Sequence, residues 1–339
     1  MTLTADITLD RIRATRELLA GRLHHTPLLS STTAARVALA ATGRRVADDR
    51  LFLKAENLQK TGSFKPRAAL SRIASLSSDE RERGAITISA GNAGQAYAWA
   101  GREAGVPVTV VMPAGAVRSK VEACLGYGAE VVLHGEHVGE TLAKLEELRD
   151  RRGLTVVHPF DQPEVVIGNG SLGLELLDDL PDVDVVVAGV GGGGLISGVT
   201  AALKAAKPDV RIYGVEPVGS DALKRSIAAG RPVTIHPRSV ADGLNAPFGG
   251  RLAIEICGPG LEDIVLLEDA TILGGLRFAL ERLKLVLEPA GATALAAVLS
   301  GAIPYREGDR LAVILSGGNV AIDRLGELLA QAGPLPEPA

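Results

Sequence analysis

The chain has 339 residues, 46% of them hydrophobic and 22% charged, a globular balance that excludes a disordered chain and predicts about two domains. A formal net charge of −4 and an aromatic content of 3% exclude a nucleic-acid partner held by a basic face or by base stacking. The only cysteines, Cys124 and Cys257, fit buried thiols in a reducing cytoplasm, and Asp6 and Asp10 ahead of any apolar run predict no signal peptide.

In chain order, the strands predicted are 51–55, 85–89, 106–112, 130–133, 156–158, 183–188, 211–216, 263–267 and 311–315. Several are apolar throughout rather than alternating, as expected when both faces of a sheet are covered. Between them, helices are predicted over 94–104, 119–127, 139–152, 196–206 and 270–284. The alternation predicts an α/β chain with mostly parallel sheets. The charge-rich stretches 44–50 and 77–83 read as surface connections, and the proline-rich tail 333–339 as frayed. The stretch 185–203 carries no charge over 19 residues, nominally enough to span a bilayer. Its middle holds six glycines, so it reads as strand, loop and helix, with no membrane partner.

Four loops could carry chemistry. In KAENLQKTGSFKPRAAL (54–70), Lys65 precedes Pro66, which suits a first helical turn. A lysine at a helix N-terminus meets an unfavourable dipole that lowers its pKa, as Schiff-base chemistry requires, although a surface lysine gives the same spacing. In ITISAGNAGQAYAWAG (86–101), the turn Ser89, Ala90, Gly91, Asn92, Ala93 offers a hydroxyl, an amide and free N–H groups suited to a carboxylate. Helix capping by Ser89 or Asn92 is the alternative. In VVVAGVGGGGLISG (185–198), a strand runs into Gly191, Gly192, Gly193 and Gly194 before a helix opens near Leu195. Such a loop presents bare N–H groups to a phosphate. Gly189, Gly191 and Gly194 also match the dinucleotide fingerprint, with Glu216 about 20 residues on, so an NAD-dependent dehydrogenase competes. In LAVILSGGNV (311–320), a buried strand ends in Ser316, Gly317, Gly318 and Asn319, where ligands of open α/β sheets gather. His134 and His137 have nominal metal spacing but read as a solvated turn.

Together these segments resemble the fold-type II pyridoxal-phosphate (PLP) enzymes, in the threonine/serine dehydratase and serine racemase branch. The likeness runs in order through KAENLQKTGSFKPRAAL, SAGNAGQA, MPAGAVRSKVEACLGYGAEVVLHG, HPFDQPEVVIGNGSLGLEL, GVGGGGLISG, GVEP, ADGL, LEPAGATALAA and LSGGN. It implies a tryptophan synthase β-like fold of two open twisted α/β domains with the cofactor in the cleft between them. The larger domain would comprise 1–56 and 160–339, with a small domain, 57–159, inserted in it. It implies that Lys65 carries PLP as a Schiff base and that Gly191, Gly192, Gly193, Gly194 and Leu195 bind its phosphate. Asn92 would meet the ring hydroxyl, Ser316 the pyridine nitrogen, and Phe64 would pack beside the ring. Ser89, Ala90, Gly91, Asn92 and Ala93 would hold the carboxylate of a small amino-acid substrate. The implied reaction is dehydration and deamination of L-threonine or L-serine, in a cytoplasmic homodimer or homotetramer.

The departures are informative. Racemases of the branch carry a second serine where this chain has Ala90, so the proton carrier of the opposite face is missing and elimination is favoured over serine racemisation. Ala93 stands where many relatives have histidine, leaving open which β-hydroxy amino acid is preferred. Ala68 replaces a usual glycine. The branch often binds Mg or another cation through a glutamate, a carbonyl four residues on and an aspartate six on. Here those positions are Glu216, Ser220 and Ala222, with Asp221 out of step.

Overall fold

A computed structural model describes residues 3–337. Its strands are β1 (Leu28–Ser31), β2 (Leu51–Lys54), β3 (Ala85–Ile88), β4 (Val108–Met112), β5 (Glu130–Leu133), β6 (Thr155–Val156), β7 (Val185–Gly189), β8 (Arg211–Pro217), β9 (Asp263–Leu267) and β10 (Leu311–Ile314). They form a six-stranded sheet of order β1-β2-β10-β7-β8-β9 and a four-stranded sheet of order β5-β4-β3-β6. Every pairing is parallel except β1 with β2. All five residues of β7 and all four of β10 are buried, which is why these strands read as unbroken apolar runs. The smaller sheet is built from 85–156, and the larger from the chain on either side of it. No helix among the described residues is long and apolar enough to cross a membrane.

The nine predicted strands are present, some with ends shifted by one or two residues. The tenth, β1, is not among those predicted: its sequence LLSS is four residues at a half-exposed sheet edge. The segment 77–83 is not a plain connection, because Ser77 and Glu80 form a reciprocal capping box that starts the helix Ser78–Arg83. The stretch predicted helical over 270–284 is the helix Asp269–Phe278 followed by a wider turn, Ala279–Leu283, that Lys284 ends at φ +61°. The tail is docked through its first residues: Gly333 N–H donates to Ala270 O at 2.8 Å and Leu335 packs against the core. Pro338 and Ala339 lie outside the described residues.

Three helices meet beneath the site through positions where a side chain has no room. A Cβ on Gly198, in Gly194–Ala206, would lie 2.4 Å from Val166 O, and one on Gly168, in Pro163–Asp179, would lie 2.4 Å from Arg67 O in Lys65–Ala74. The same contact carries a buried ion network. Arg67 donates through Nε and Nη2 to the two oxygens of Glu56, each at 2.8 Å, and through Nη1 to Glu175 Oε2 at 2.9 Å. Lys54 Nζ, fully buried at the end of β2, reaches Glu175 Oε1, Asp179 Oδ2 and Thr26 O, each at 2.7 Å. Burial works against the Arg67 cation, yet Glu56 and Glu175 hold its pKa above the ordinary value. Removing one member leaves the others charged and unpaired in the interior. Arg67→Met is therefore expected to destabilise the protein by about 3–5 kcal/mol, measured by urea unfolding of the cofactor-free chain. A loss within the ±0.5 kcal/mol typical of surface changes would show that the network is not under this constraint.

Candidate active site

The loops that carry the candidate residues all leave the carboxyl ends of parallel strands. The segment after β2 and the segment after β10 are laced together by backbone bonds: Asn57 N–H to Leu315 O at 2.9 Å, Gly318 N–H to Gly62 O at 2.9 Å, and Phe64 N–H to Ser316 O at 3.1 Å. This seats Lys65 as the first residue of the helix Lys65–Ala74, one position earlier than Pro66 alone would suggest. Lys65 Nζ lies 4.8 Å from the centre of the Phe64 ring and 3.4 Å from its one acceptor among the described residues, Pro159 O. Burial pulls its pKa down from 10.5 to about 8, opposed by the charge of Glu288. The depression expected of this lysine is present, with desolvation as its largest cause.

The glycine loop follows β7. Gly193 takes φ +94° and caps the helix Gly194–Ala206, a conformation that favours glycine. None of the backbone N–H groups from Gly191 to Leu195 donates to an acceptor among the described residues. The loop is also crowded: a Cβ on Gly192 would lie 2.5 Å from the Phe160 ring, and one on Gly191 would lie 3.0 Å from Leu244 Cα. Aligned amides at a helix start, stripped of side chains, form an anion cradle.

The turn after β3 repeats this pattern in smaller form. Ser89 N–H is held by Val111 O, and Ser89 Oγ accepts from Gly91 N–H at 3.2 Å. Asn92 opens the helix Asn92–Ala104, and the N–H groups of Ala90, Asn92 and Ala93 have no acceptor among the described residues. Ser89 thus orders its own turn, and the amides beyond it stay free for a carboxylate. After β10, the Ser316 hydroxyl is buried and its one contact is a long one, 3.4 Å to Ala290 O.

Residues without a predicted role join these loops into one surface. Glu288 accepts from Asn92 Nδ2 at 2.5 Å, and its own N–H donates to Gly317 O at 3.1 Å. Burial and nearby Asp242 push its carboxyl up to about 7, opposed by Lys120, Asn92 and Lys65. Phe160 bridges from the Lys65 side to the glycine loop and packs edge-on against His158, 4.5 Å between ring centres. His158 Nδ1 accepts from the N–H groups of Phe160 and Asp161 at 3.2 and 2.9 Å, which fixes the tautomer protonated at Nε2. Burial, with Lys65 adding to it and Asp161 opposing, holds its pKa below the ordinary value. Lys120 pairs with Asp242 at 2.5 Å between the two sheet systems. Glu288 lies inside the segment LEPAGATALAA, but only contact with Asn92, 196 positions away in the chain, marks it as part of the site.

Glu216 and Ser220 do not join this surface and do not fit a metal. Both Glu216 oxygens are engaged by N–H groups at the start of Ala222–Ala229, from Leu223 at 2.8 Å and Lys224 at 3.0 Å. Burial, opposed by those amides, pushes its carboxyl up to about 8. Ser220 Oγ donates to Leu244 O at 2.9 Å, and Asp221 pairs with Arg225 at 2.8 Å. One carboxylate whose two oxygens both accept amide N–H bonds is a poor donor set for a divalent cation, which wants several hard oxygens. Among the described residues no cluster of three or more His, Cys, Asp or Glu could hold a metal.

A mixed six-stranded sheet and a parallel four-stranded sheet, a half-buried lysine opening one helix and a run of glycines opening another define the class, an α/β enzyme. The chain belongs to the pyridoxal-phosphate dependent enzyme family, whose pattern matches residues 22–317. It is 38% identical over 324 residues to the L-threonine ammonia-lyase of Thermotoga maritima, covering 95% of this chain and 78% of that one. It is 37% identical over 325 residues to the catabolic L-threonine dehydratase TdcB of Escherichia coli, covering 95% and 96%. Among solved structures, maize serine racemase superposes with a TM-score of 0.88 at 33% identity, covering 96% of this chain and 98% of that one. The T.th. threonine deaminase gives 0.82 at 37% identity, covering 93% and 99%. The dinucleotide alternative falls with the family match, and Glu216 is turned into helix amides rather than toward a ribose.

The site fits the family's cofactor: the amides from Gly191 to Leu195 lack acceptors, the Lys65 amine is desolvated, and Ser316 has a hydroxyl nearly free to bond. In the cofactor-free protein, labelling of Lys65 by an amine-directed reagent should rise with pH and flatten above about 8, because only the neutral amine reacts. Ordinary lysines should continue to climb toward about pH 10.4. Peptide mass spectrometry across the pH series reads both, and a Lys65 profile that tracks the other lysines contradicts the desolvated amine.

Proposed function

We propose that the protein dehydrates and deaminates L-threonine, L-serine or a related β-hydroxy amino acid, releasing a 2-oxo acid and ammonia. The observation that carries this reading is the Lys65 amine, depressed to about 8 by burial, on one surface with two turns of uncommitted amides. The relatives named for threonine deamination, each matching 95% of the chain, support it.

Bound PLP supplies a carbonyl that condenses with amines and a conjugated ring that takes up the electron pair released at the α-carbon. The amides of Gly191, Gly192, Gly193, Gly194 and Leu195 hold the phosphate, and Phe64 packs beside the ring. Asn92 would donate toward the ring hydroxyl, and Ser316 Oγ would meet the ring nitrogen. A hydroxyl there would not place a full charge on the ring nitrogen as a carboxylate partner would, an environment suited to elimination. Ser89 shapes the turn in which Ala90, Gly91, Asn92 and Ala93 receive the substrate carboxylate. Lys65 Nζ, drawn toward neutrality by burial, would take the α-proton of the substrate. Ala90 offers no group to return a proton to the opposite face, which sets elimination above racemisation. We place the domain boundaries so that 57–159 is inserted between 1–56 and 160–339, and take the assembly as a cytoplasmic homodimer or homotetramer, on the family resemblance.

The test is incubation of the holoenzyme with L-threonine, L-serine and other β-hydroxy amino acids, with 2-oxo acid and ammonia measured together and the residual amino acid analysed on a chiral column. Equal amounts of oxo acid and ammonia are expected, with little D-serine. Lys65→Ala should lower the rate by about 100-fold or more. Absence of oxo acid from every substrate overturns the reading, and D-serine in excess of oxo acid turns it to racemisation.

A further inference from the structure

The Asn92 amide is held at both ends. Its Nδ2 donates to Glu288 Oε1 at 2.5 Å, and its Oδ1 accepts from Asn319 Nδ2 at 2.8 Å. Asn319 Nδ2 also donates to Thr61 O at 2.7 Å. Donor and acceptor logic fixes this row in one direction. A backbone carbonyl can only accept, so the nitrogen of Asn319 must face Thr61. Its second hydrogen then requires an oxygen on Asn92, and the nitrogen of Asn92 must turn to Glu288. With one of its two hydrogens on Glu288, Asn92 retains a single N–H with no acceptor among the described residues.

The backbone is shaped around this row. A Cβ on Gly62 would lie 2.4 Å from Asn319 Oδ1, and one on Gly317 would lie 2.4 Å from Glu288 Oε1. Thr61, whose carbonyl anchors the row, holds φ +58°, a strained value for a β-branched residue. Two segments distant in sequence, one at Thr61 and Gly62 and one at Gly317, thus give up packing space or accept strain around the orientation of one amide.

We infer that Glu288 and Asn319 are positioning residues that lock the Asn92 amide, with Thr61 O as the polarity reference, so that one N–H is presented to the cofactor ring. This rests on the proposed reading of Asn92 as a ring contact. Glu288 and Asn319 themselves need not touch substrate or cofactor. Asn319→Asp is nearly isosteric but cannot donate to Thr61 O or to Asn92 Oδ1, so it repels both and competes with Glu288 for the Asn92 N–H groups. Glu288→Gln keeps an acceptor for Asn92, whereas Glu288→Ala removes it.

The experiment measures PLP affinity of the cofactor-free variants by fluorescence titration, the visible absorption band of the reconstituted proteins, and thermal melting without cofactor. Asn92→Ala, Asn319→Asp and Glu288→Ala should each weaken PLP binding about tenfold, the worth of one hydrogen bond, and shift the band. Glu288→Gln should restore both toward wild type. In the double variant Asn92→Ala/Asn319→Asp, the loss should be no greater than in Asn92→Ala alone, because Asn319 acts through Asn92. Unchanged affinity and band in Asn92→Ala overturn the assignment of Asn92 to the cofactor. Losses in Asn92→Ala with none in Asn319→Asp and Glu288→Ala, or additive losses in the double variant, overturn the lock and leave the site reading standing.

Discussion

The buried pairing of Lys54 and Arg67 with Glu56, Glu175 and Asp179 is the constraint on which the site depends. Lys54 ends β2, Glu56 begins the loop, Arg67 lies one helical half-turn beyond Lys65, and Glu175 and Asp179 come from Pro163–Asp179. Charges in a low-dielectric interior have no acceptable position except against each other. Satisfying them fixes the end of β2, the start of the lysine helix and the helix beneath it together. Lys65 inherits a defined place without being a member of the network, which leaves its amine free of any carboxylate partner.

The same low dielectric acts with the opposite result a few residues away. At Arg67 and Glu175, partners outweigh burial and favour the charged forms; at Lys65 the nearest hydrogen-bond acceptor is a carbonyl at 3.4 Å, so burial wins and the amine moves toward neutrality. Glu288 is pushed upward for the same reason. The difference is therefore the count of opposite charges within hydrogen-bond reach, set by backbone geometry rather than residue type.

Much of this was legible in the sequence and some was not, for physical reasons. Strands such as β7 and β10 announce themselves because burial on both faces demands unbroken apolar runs, and the four successive glycines at 191–194 stand where a Cβ would meet Leu244, Phe160 or Ala253. The strand β1 was not legible, since LLSS at a half-exposed edge needs only its antiparallel neighbour to become a strand. The helix Ser78–Arg83 was hidden by its charge, although its capping box was present in Ser77 and Glu80. Glu288 could not be assigned from local pattern, because its meaning comes from the Asn92 amide across the fold. For the cation suggested at Glu216, sequence spacing places an oxygen but not what that oxygen already accepts, here the N–H groups of Leu223 and Lys224.

Two helix starts in this chain show how a ligand site differs from a structural one. At Ala222–Ala229 the exposed amides are met from within, by both oxygens of Glu216, so that end of the helix is complete and asks for nothing further. At Gly194–Ala206 the corresponding amides face a loop with no side chains to cap them, walled by Phe160 and Leu244. Unmet amides in a partly enclosed position cost stability until an anion arrives, and an anion that binds only the folded chain restores that stability by mass action. A Cβ at any of the four glycines would come within 3.0 Å of Leu244, Phe160 or Ala253, so none of these positions can supply an internal cap. The chain keeps glycine there and sets its buried carboxylate at position 216 instead, so one helix start is capped from within and the other is not capped by any side chain among the described residues.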